Sequence, residues 1–175
     1  MEDDRRDKAM RKKYKLYAGL LVVLLLIADQ TTKFFAMHFF GTEKKIVLLE
    51  SILELNYTEN TGAAFGVFEG YNMLITLIVI ALVIFLLIKY YKLSRTGKYY
   101  GIRLSMLVLI SGAIGNLIDR LRYGFVIDFI YFIPIDFPKF NCADMCIVLS
   151  VIAIGYLFLF VYSEEDISYI LKLRT

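Results

Sequence analysis

The chain alternates between long apolar segments and short polar ones, and four apolar segments approach the length of a membrane span. Tyr71 to Ile88 is a run of 18 residues without a charged side chain, and Met145 to Ser163 is another of 19. A helix needs about 20 apolar residues to cross the ~30 Å hydrocarbon core of a bilayer. The pattern predicts a mainly α-helical membrane protein with four transmembrane helices, at about 16–39, 71–88, 104–121 and 145–163.

The first predicted span is interrupted by a polar patch, Asp29-Gln-Thr-Thr-Lys33. On a helix, Asp29 and Lys33 lie one turn apart on the same face, where opposite charges meet. Charged side chains within a span tend to face the protein interior rather than lipid. The pair is therefore either a structural ion pair between helices or a support for a functional site, and the residues alone leave both interpretations open.

The segment at 41–70, between the first two spans, carries the pattern of a strand. Leu53 to Thr58 alternates apolar and polar residues, which is the period of a half-exposed strand. The strand continues into a stretch of small residues from Asn60 to Gly66, where glycine allows the backbone to approach a ligand closely. We expect a strand in the loop between helices 1 and 2, and a loop at 121–144 that folds back across the mouth of the bundle.

The ends of the chain are predicted to be tails on a single domain. Residues 1–15 form a basic tail, 16–166 a single four-helix membrane domain, and 167–175 a C-terminal tail. A basic tail before an apolar block also resembles a secretory signal peptide. No small-residue cleavage site follows, however, and apolar residues resume after Lys33, so the first span is predicted to be retained.

The distribution of positive charge orients the predicted bundle. Four spans place both termini and the 89–103 connector on the same side, and these segments hold 14 of the 20 Lys and Arg residues. The positive-inside rule assigns that side to the cytoplasm. The 41–70 and 121–144 loops are then extracytoplasmic.

Composition agrees with a membrane protein. Hydrophobic residues make up 59% of the chain and charged residues 21%, which is more apolar surface than a soluble domain of this length buries. Cys142 and Cys146 give no disulfide framework. A metal site at these cysteines is an alternative to simple packing, but the chain has one histidine, His38, and no second cysteine pair. We therefore predict no metal and no organic cofactor.

The stretch from Gly112 to Asp144 concentrates the candidate chemistry, because four aspartates lie in it (Asp119, Asp128, Asp136 and Asp144). Sixteen residues separate Asp128 from Asp144, enough for the intervening loop to bring them together. Two carboxylates that share one proton have pKa values split apart, so that one serves as base and the other as acid. Asp119 beside Arg120 fits a structural role, and Asp136 fits a turn.

Other hydrolytic chemistries have less support. The chain has no H-E-x-x-H zinc motif, and a serine or cysteine triad would depend on His38 alone. A non-enzymatic four-helix bundle that binds or transports a ligand through its buried polar groups remains the alternative. From the residues alone, that bundle and a hydrolytic carboxylate pair both stay open.

Five short motifs occur in order among the four spans, and together they resemble a known family. They are DQTTK at 29–33, NTGAAF at 60–65, GNLIDR at 115–120, VIDF at 126–129 and FNCAD at 140–144. The set is similar to lipoprotein signal peptidase, the bacterial signal peptidase II family of membrane aspartyl proteases, over residues 14–165. The resemblance implies four membrane helices with a small extracytoplasmic β-rich cradle between helices 1 and 2, which agrees with the alternation at 53–58.

The resemblance also implies roles for single residues. It makes Asp128 and Asp144 the catalytic pair. The positions implied to line or support the site are Asn60, Asn116, Arg120, Asn141, Asp29 and Lys33.

The activity that the resemblance implies is removal of the signal peptide from diacylglyceryl-modified prolipoproteins, just before the lipidated lipobox cysteine. The chain would lie in the bacterial cytoplasmic membrane with its active site near the outer face. Its expected partners are these substrates and membrane lipid, without nucleic acid, and it is expected to act as a monomer.

Overall fold

The computed structural model describes residues 2–40, 44–62 and 71–172, with side chains from residue 13 onward. The helices are α1 (Glu2–Phe35), α2 (Asn72–Lys92), α3 (Tyr100–Tyr123), α4 (Cys142–Phe160) and α5 (Glu164–Lys172). The strands are β1 (Lys45–Leu49), β2 (Leu53–Asn60), β3 (Val126–Phe132) and β4 (Phe137–Phe140). A π-helical turn, Ala36–Phe40, extends α1.

Four segments of the described chain are long and apolar enough to cross a membrane: Lys13–Phe40, Asn72–Lys92, Gly97–Tyr123 and Cys142–Phe160. Their outward side chains are apolar, as in Met73 and Leu159, which are 73% and 77% exposed. The predicted four-helix membrane fold is confirmed. Helix α1 begins at Glu2, so residues 2–15 of the predicted tail are helical, because nothing before Gly19 interrupts a run of good helix formers.

A four-stranded antiparallel sheet, in the order β1-β2-β3-β4, covers one end of the bundle. The strand predicted at 53–58 is confirmed within β2. The prediction placed the β-structure between helices 1 and 2, whereas β3 and β4 lie between α3 and α4. Val126–Phe132 does not alternate because its first four residues are all buried, so its pattern does not show the two-residue period of a half-exposed strand.

Helix α3 is the centre of the bundle. In its apolar stretch of 18 residues, 61% of the residues are buried, against 11–22% in the corresponding stretches of the other three spans. Two glycines allow its neighbours to approach. A Cβ atom at Gly112 would lie 2.5 Å from the carbonyl oxygen of Ala143, and one at Gly115 would lie 2.6 Å from Asp29 Oδ2. These glycines therefore fix the positions of Asp29 on α1 and of the first turn of α4.

Helix α5 packs at the end of the bundle opposite the sheet. Ser163 and Asp166 form reciprocal contacts at its start, and Asp166 also accepts from Lys98 Nζ at 2.6 Å. Ile170 joins the cluster formed by Leu93, Ile102, Met106 and Tyr162. The residues interpreted as a C-terminal tail are thus helical as far as residue 172.

Candidate active site

Asp128 lies in the middle of the sheet, on β3, where its cross-strand partner on β2 is Thr58. Its side chain is buried and accepts two amide hydrogen bonds, from Asn60 Nδ2 at 2.8 Å and from Asn141 Nδ2 at 2.7 Å. Burial raises the pKa of Asp128 to about 7, the negative charge of Asp144 adds to the rise, and the two amides oppose it. This carboxyl group is therefore able to keep a proton near neutral pH.

Asp144 lies in the first turn of α4, where it completes a capping box with Asn141. Its Oδ2 accepts from the backbone N–H of Asn141 at 3.0 Å, and its Oδ1 accepts from Asn116 Nδ2 at 2.7 Å. Asparagine at the N-cap and an acid three residues later are a sequence signature of a helix start. Each carboxylate oxygen of Asp144 therefore has one hydrogen-bond donor, which fixes the orientation of the group.

Asn141 connects the two aspartates. Its side-chain amide donates to Asp128 while its backbone N–H donates to Asp144. The same amide also lies 3.1 Å from Asn116 Oδ1 and 3.2 Å from the carbonyl oxygen of Ile127, so its two hydrogens are shared among three acceptors. The β3–β4 hairpin supplies the return across the bundle mouth that was predicted for this loop.

A buried ion cluster lies behind the pair. Lys33 Nζ is 2.9 Å from Asp29 Oδ2 and 2.8 Å from Asp119 Oδ2, and it donates to Asn116 Oδ1 at 2.9 Å. Asp29 accepts the backbone N–H of Ala143, and Asp119 accepts that of Ile127. The cluster thus holds the backbone next to each catalytic candidate, and it unites the structural and site-supporting interpretations of the Asp29–Lys33 pair.

Arg120 lies on the wall of the same site. Its Nη2 donates to the carbonyl oxygen of Gly62 at 3.1 Å, and its Nε is buried without a hydrogen-bond partner in the described part of the protein. Gly62 in turn donates its backbone N–H to Asn60 Oδ1 at 3.0 Å. Arg120 and Asn60 therefore hold the start of the glycine-containing segment. Residues 63–65 of the NTGAAF motif lie outside the described residues.

A groove of about 1190 Å³ opens onto the two aspartates. Its sheet side is mixed, with polar Asn56, Thr58, Glu59, Tyr131 and Lys139 beside apolar Val126, Phe137, Pro138 and Phe140. Its other side is apolar and belongs to α4, with Met145, Ile147, Val148 and Leu149. The polar side chains that line the groove outside the catalytic pair are therefore concentrated on the sheet side, and α4 offers an apolar surface.

Of the eight predicted site residues, five line the groove: Asn60, Asn116, Arg120, Asp128 and Asp144. Asn141, Asp29 and Lys33 act from behind it through the contacts above. Asp136 ends a turn in the left-handed region (φ 47°), in agreement with its predicted role, and accepts the Tyr131 hydroxyl at 2.6 Å. His38 stacks on Phe34 at the end of α1.

Three residues that take part in the site were not predicted from the sequence. Gln30 Nε2 donates to Asp119 Oδ1 at 3.0 Å and also contacts Asp29 Oδ2 and the Gly115 carbonyl oxygen. Gln30 could have been predicted as a site residue, because it is a polar residue between Asp29 and Lys33 within a predicted membrane span. Lys139 and Tyr131 reach the groove because of strand pairing, for which the sequence carried no signal.

Taken together, the fold and site define a multi-pass helical membrane protein with one buried and one half-buried carboxylate in a groove at one end. Residues 21–160 match the family model described as signal peptidase (SPase) II. The chain therefore belongs to the signal peptidase II family, which is a family of proteases.

Relatives and solved structures agree with this assignment. The chain is 36% identical to the lipoprotein signal peptidase of Halothermothrix orenii, over 87% of this chain and 98% of the relative. It is 38% identical to that of Thermodesulfovibrio yellowstonii, over 81% of this chain and 95% of the relative. A bacterial membrane enzyme structure obtained by the in meso method is similar with a TM-score of 0.75 and 29% identity, covering 87% of this chain and 90% of that one. A second such structure has a TM-score of 0.72 and 30% identity, covering 83% and 94%.

Proposed function

We propose that the chain is an aspartic endopeptidase that removes the signal peptide from diacylglyceryl-modified prolipoproteins, cutting just before the lipidated cysteine. The observation that carries the proposal is the placement of Asp128 and Asp144 in one groove, connected through Asn141. Family membership supports the substrate class. The apolar α4 wall provides a surface for acyl chains.

The environments of the two carboxyl groups support different roles. Asp144, at the helix N-terminus and with a donor on each oxygen, is the ionised base that takes a proton from water. Asp128, whose pKa is raised to about 7, is the acid that gives its proton to the scissile carbonyl oxygen as the water oxygen bonds to carbon. The C–N bond then breaks as the proton held by Asp144 passes to the leaving nitrogen and one hydroxyl proton of the tetrahedral diol returns to Asp128, so that both carboxyl groups regain their starting protonation states. The two groups titrate as a unit.

The charge distribution supports a location for the site at the outer face of the membrane. With the basic termini in the cytoplasm, the sheet and groove lie at the outer face of the bacterial cytoplasmic membrane. A lipid-modified substrate then enters laterally from the bilayer and presents its cleavage site at the depth of the aspartates. No step requires a cofactor.

The test is cleavage of a diacylglyceryl-modified precursor by Asp128→Asn and Asp144→Asn. Each is expected to lower turnover by roughly 10⁴-fold or more, since general acid–base groups contribute 10²–10⁴-fold each and the pair acts together. The control is Asp136→Asn, which lines the same groove but pairs with Tyr131 and should keep its activity. Retained turnover in either variant of the pair, with normal membrane insertion, would remove the assignment. Absence of cleavage by the wild-type protein would favour a binding or transport subunit.

A further inference from the structure

Lys139 is a charged residue of the groove that the proposed mechanism does not use. It lies on β4, and its Nζ reaches across β3 to donate to Asn56 Oδ1 at 3.1 Å and to Thr58 Oγ1 at 2.5 Å, both on β2. Thr58 is the cross-strand partner of Asp128, and directly opposed residues of an antiparallel pair project from the same face. The ammonium group therefore lies on the face of the sheet that carries the Asp128 carboxyl group.

The charge of Lys139 is not neutralised by a neighbouring acid. Among the described residues, no carboxylate oxygen is within ion-pair distance of its Nζ, and its two hydrogen-bond partners are neutral. The other acids of the groove wall, Glu59 and Asp136, each accept a tyrosine hydroxyl instead. Burial lowers the pKa of Lys139, with Asp128 and Glu54 opposing that effect. An ammonium group with one donor left over is a site for an anionic group from outside the chain.

The two walls of the groove indicate which part of a substrate meets Lys139. The signal peptide and the acyl chains are apolar and suit the wall made by α4, whereas the segment after the cleavage site leaves the membrane on the side of the sheet. We propose that Lys139 determines specificity by pairing with an acidic side chain within the first three residues that follow the lipidated cysteine. This inference rests on the proposed function, and it assigns Lys139 to binding rather than to the chemical step.

The experiment compares matched substrates with the full chain in lipid nanodiscs. Diacylglyceryl-modified precursor peptides carry Asp or Asn at each of the first three positions after the cysteine, and kcat/KM is measured for each pair at low and high salt. Wild-type protein is expected to prefer Asp at one or more of these positions by about fivefold at low salt, and less at high salt because the pair is partly solvated. Lys139→Met should abolish the preference, and Lys139→Glu should reverse it. Lys44→Met is the control, since Lys44 is exposed and does not line the groove.

Equal kcat/KM for the Asp and Asn peptides, or a preference that survives in Lys139→Met, would overturn the inference while leaving the peptidase intact. A second measurement separates the two proposals in the other direction. Binding of the same peptides with a reduced, uncleavable scissile bond should show the same Asp preference and the same loss in Lys139→Met. If the wild type cleaves neither peptide but binds the Asp peptide more tightly than the Asn peptide, the proposed function fails. Lys139 would then still be a residue that binds an acidic side chain of the ligand. Equal affinities, or displacement of both peptides alike by anionic phospholipid, would overturn the inference.

Discussion

The three charges buried behind the groove depend on one another because Lys33 is the cation shared by Asp29 and Asp119. Removing one member of a buried ion pair typically costs about 3–5 kcal/mol, since a charge is left without a partner. We expect Lys33→Met to lower stability by that amount and to lower activity through loss of Asn116 orientation. A triple variant that combines it with Asp29→Asn and Asp119→Asn should recover part of the stability.

Thermal unfolding in detergent measures these differences, and an exposed pair provides the control. Lys45 is 60% exposed in its contact with Glu54, so Lys45→Met should cost less than about 1 kcal/mol. If Lys33→Met lowers the stability no more than Lys45→Met does, the buried ion cluster does not stabilise the helix bundle.

Asn60 affects the pKa of Asp128, the proposed acid of the catalytic pair. Its amide donates to Asp128 Oδ2 and stabilises the ionised form, so Asn60→Ala removes an influence that lowers the Asp128 pKa. Activity of the wild type should fall as pH rises through about 7, because Asp128 then loses the proton it donates. In Asn60→Ala this alkaline limb of kcat/KM should move to higher pH by about one unit, since a hydrogen bond to a charged group contributes roughly 1.5–3 kcal/mol.

Thr61→Ala is the control, because it shortens an uncharged side chain at the next position of the groove wall. Its pH profile of kcat/KM is compared with that of Asn60→Ala. An alkaline limb that stays in place or moves to lower pH in Asn60→Ala would show that Asp128 is not the group that must be protonated.

The identities of the site residues were predictable from the sequence, but the hydrogen bonds that connect them were not. Asp128, Asp144 and the asparagines stand in short motifs that can be recognised residue by residue. That Asn141 would donate to one aspartate from its side chain and to the other from its backbone depends on β3–β4 pairing and on the capping geometry of α4. Lys139 has no local signal because its partners are 81 and 83 positions away.

At the scale of elements, the approach of α1 and α4 to α3 depends on glycine. Gly115→Ala would place a methyl group 2.6 Å from Asp29 Oδ2, so the ion cluster or α1 must shift. Overpacking of this kind costs typically 1–3 kcal/mol, and we expect a matching loss of activity because Asp29 holds the Ala143 N–H beside Asp144. Gly155→Ala on α4 is a matched control, since beyond its chain neighbours and the adjacent backbone of α4 no described atom lies within 4 Å of the added methyl group, and it should be neutral or stabilising by up to about 1 kcal/mol. Unfolding and cleavage of the two variants, measured side by side, test this; equal behaviour would contradict the close-packing argument.

Some helices and strands could be predicted from their own sequence, whereas others depend on packing against distant parts of the chain. The spans were predictable because each is specified by its own apolar run, and β2 because apolar and polar residues alternate along its sequence. Strand β3 is buried over its first four residues, so it lost the alternation that would have identified it. Helix α5 is short and charged at its start, and its helical state depends on packing of Ile170 against α2 and α3.

The whole molecule is polarised, and this polarity predicts which end faces which side of the membrane. The sheet, the groove and the two aspartates lie at one end, with Lys44 at the start of the sheet, while the basic connector that holds Arg95 lies at the other. In the sequence, 14 of the 20 Lys and Arg residues belong to the two terminal segments and the 89–103 connector, which the positive-inside rule assigns to the cytoplasm. In a background carrying Cys142→Ala and Cys146→Ala, a membrane-impermeant thiol reagent should therefore label Lys44→Cys in intact cells, and Arg95→Cys only after the membrane is opened. The reverse pattern would put the groove in the cytoplasm, where a lipid-modified precursor delivered across the membrane could not reach it, and would contradict the proposed function as well as the orientation.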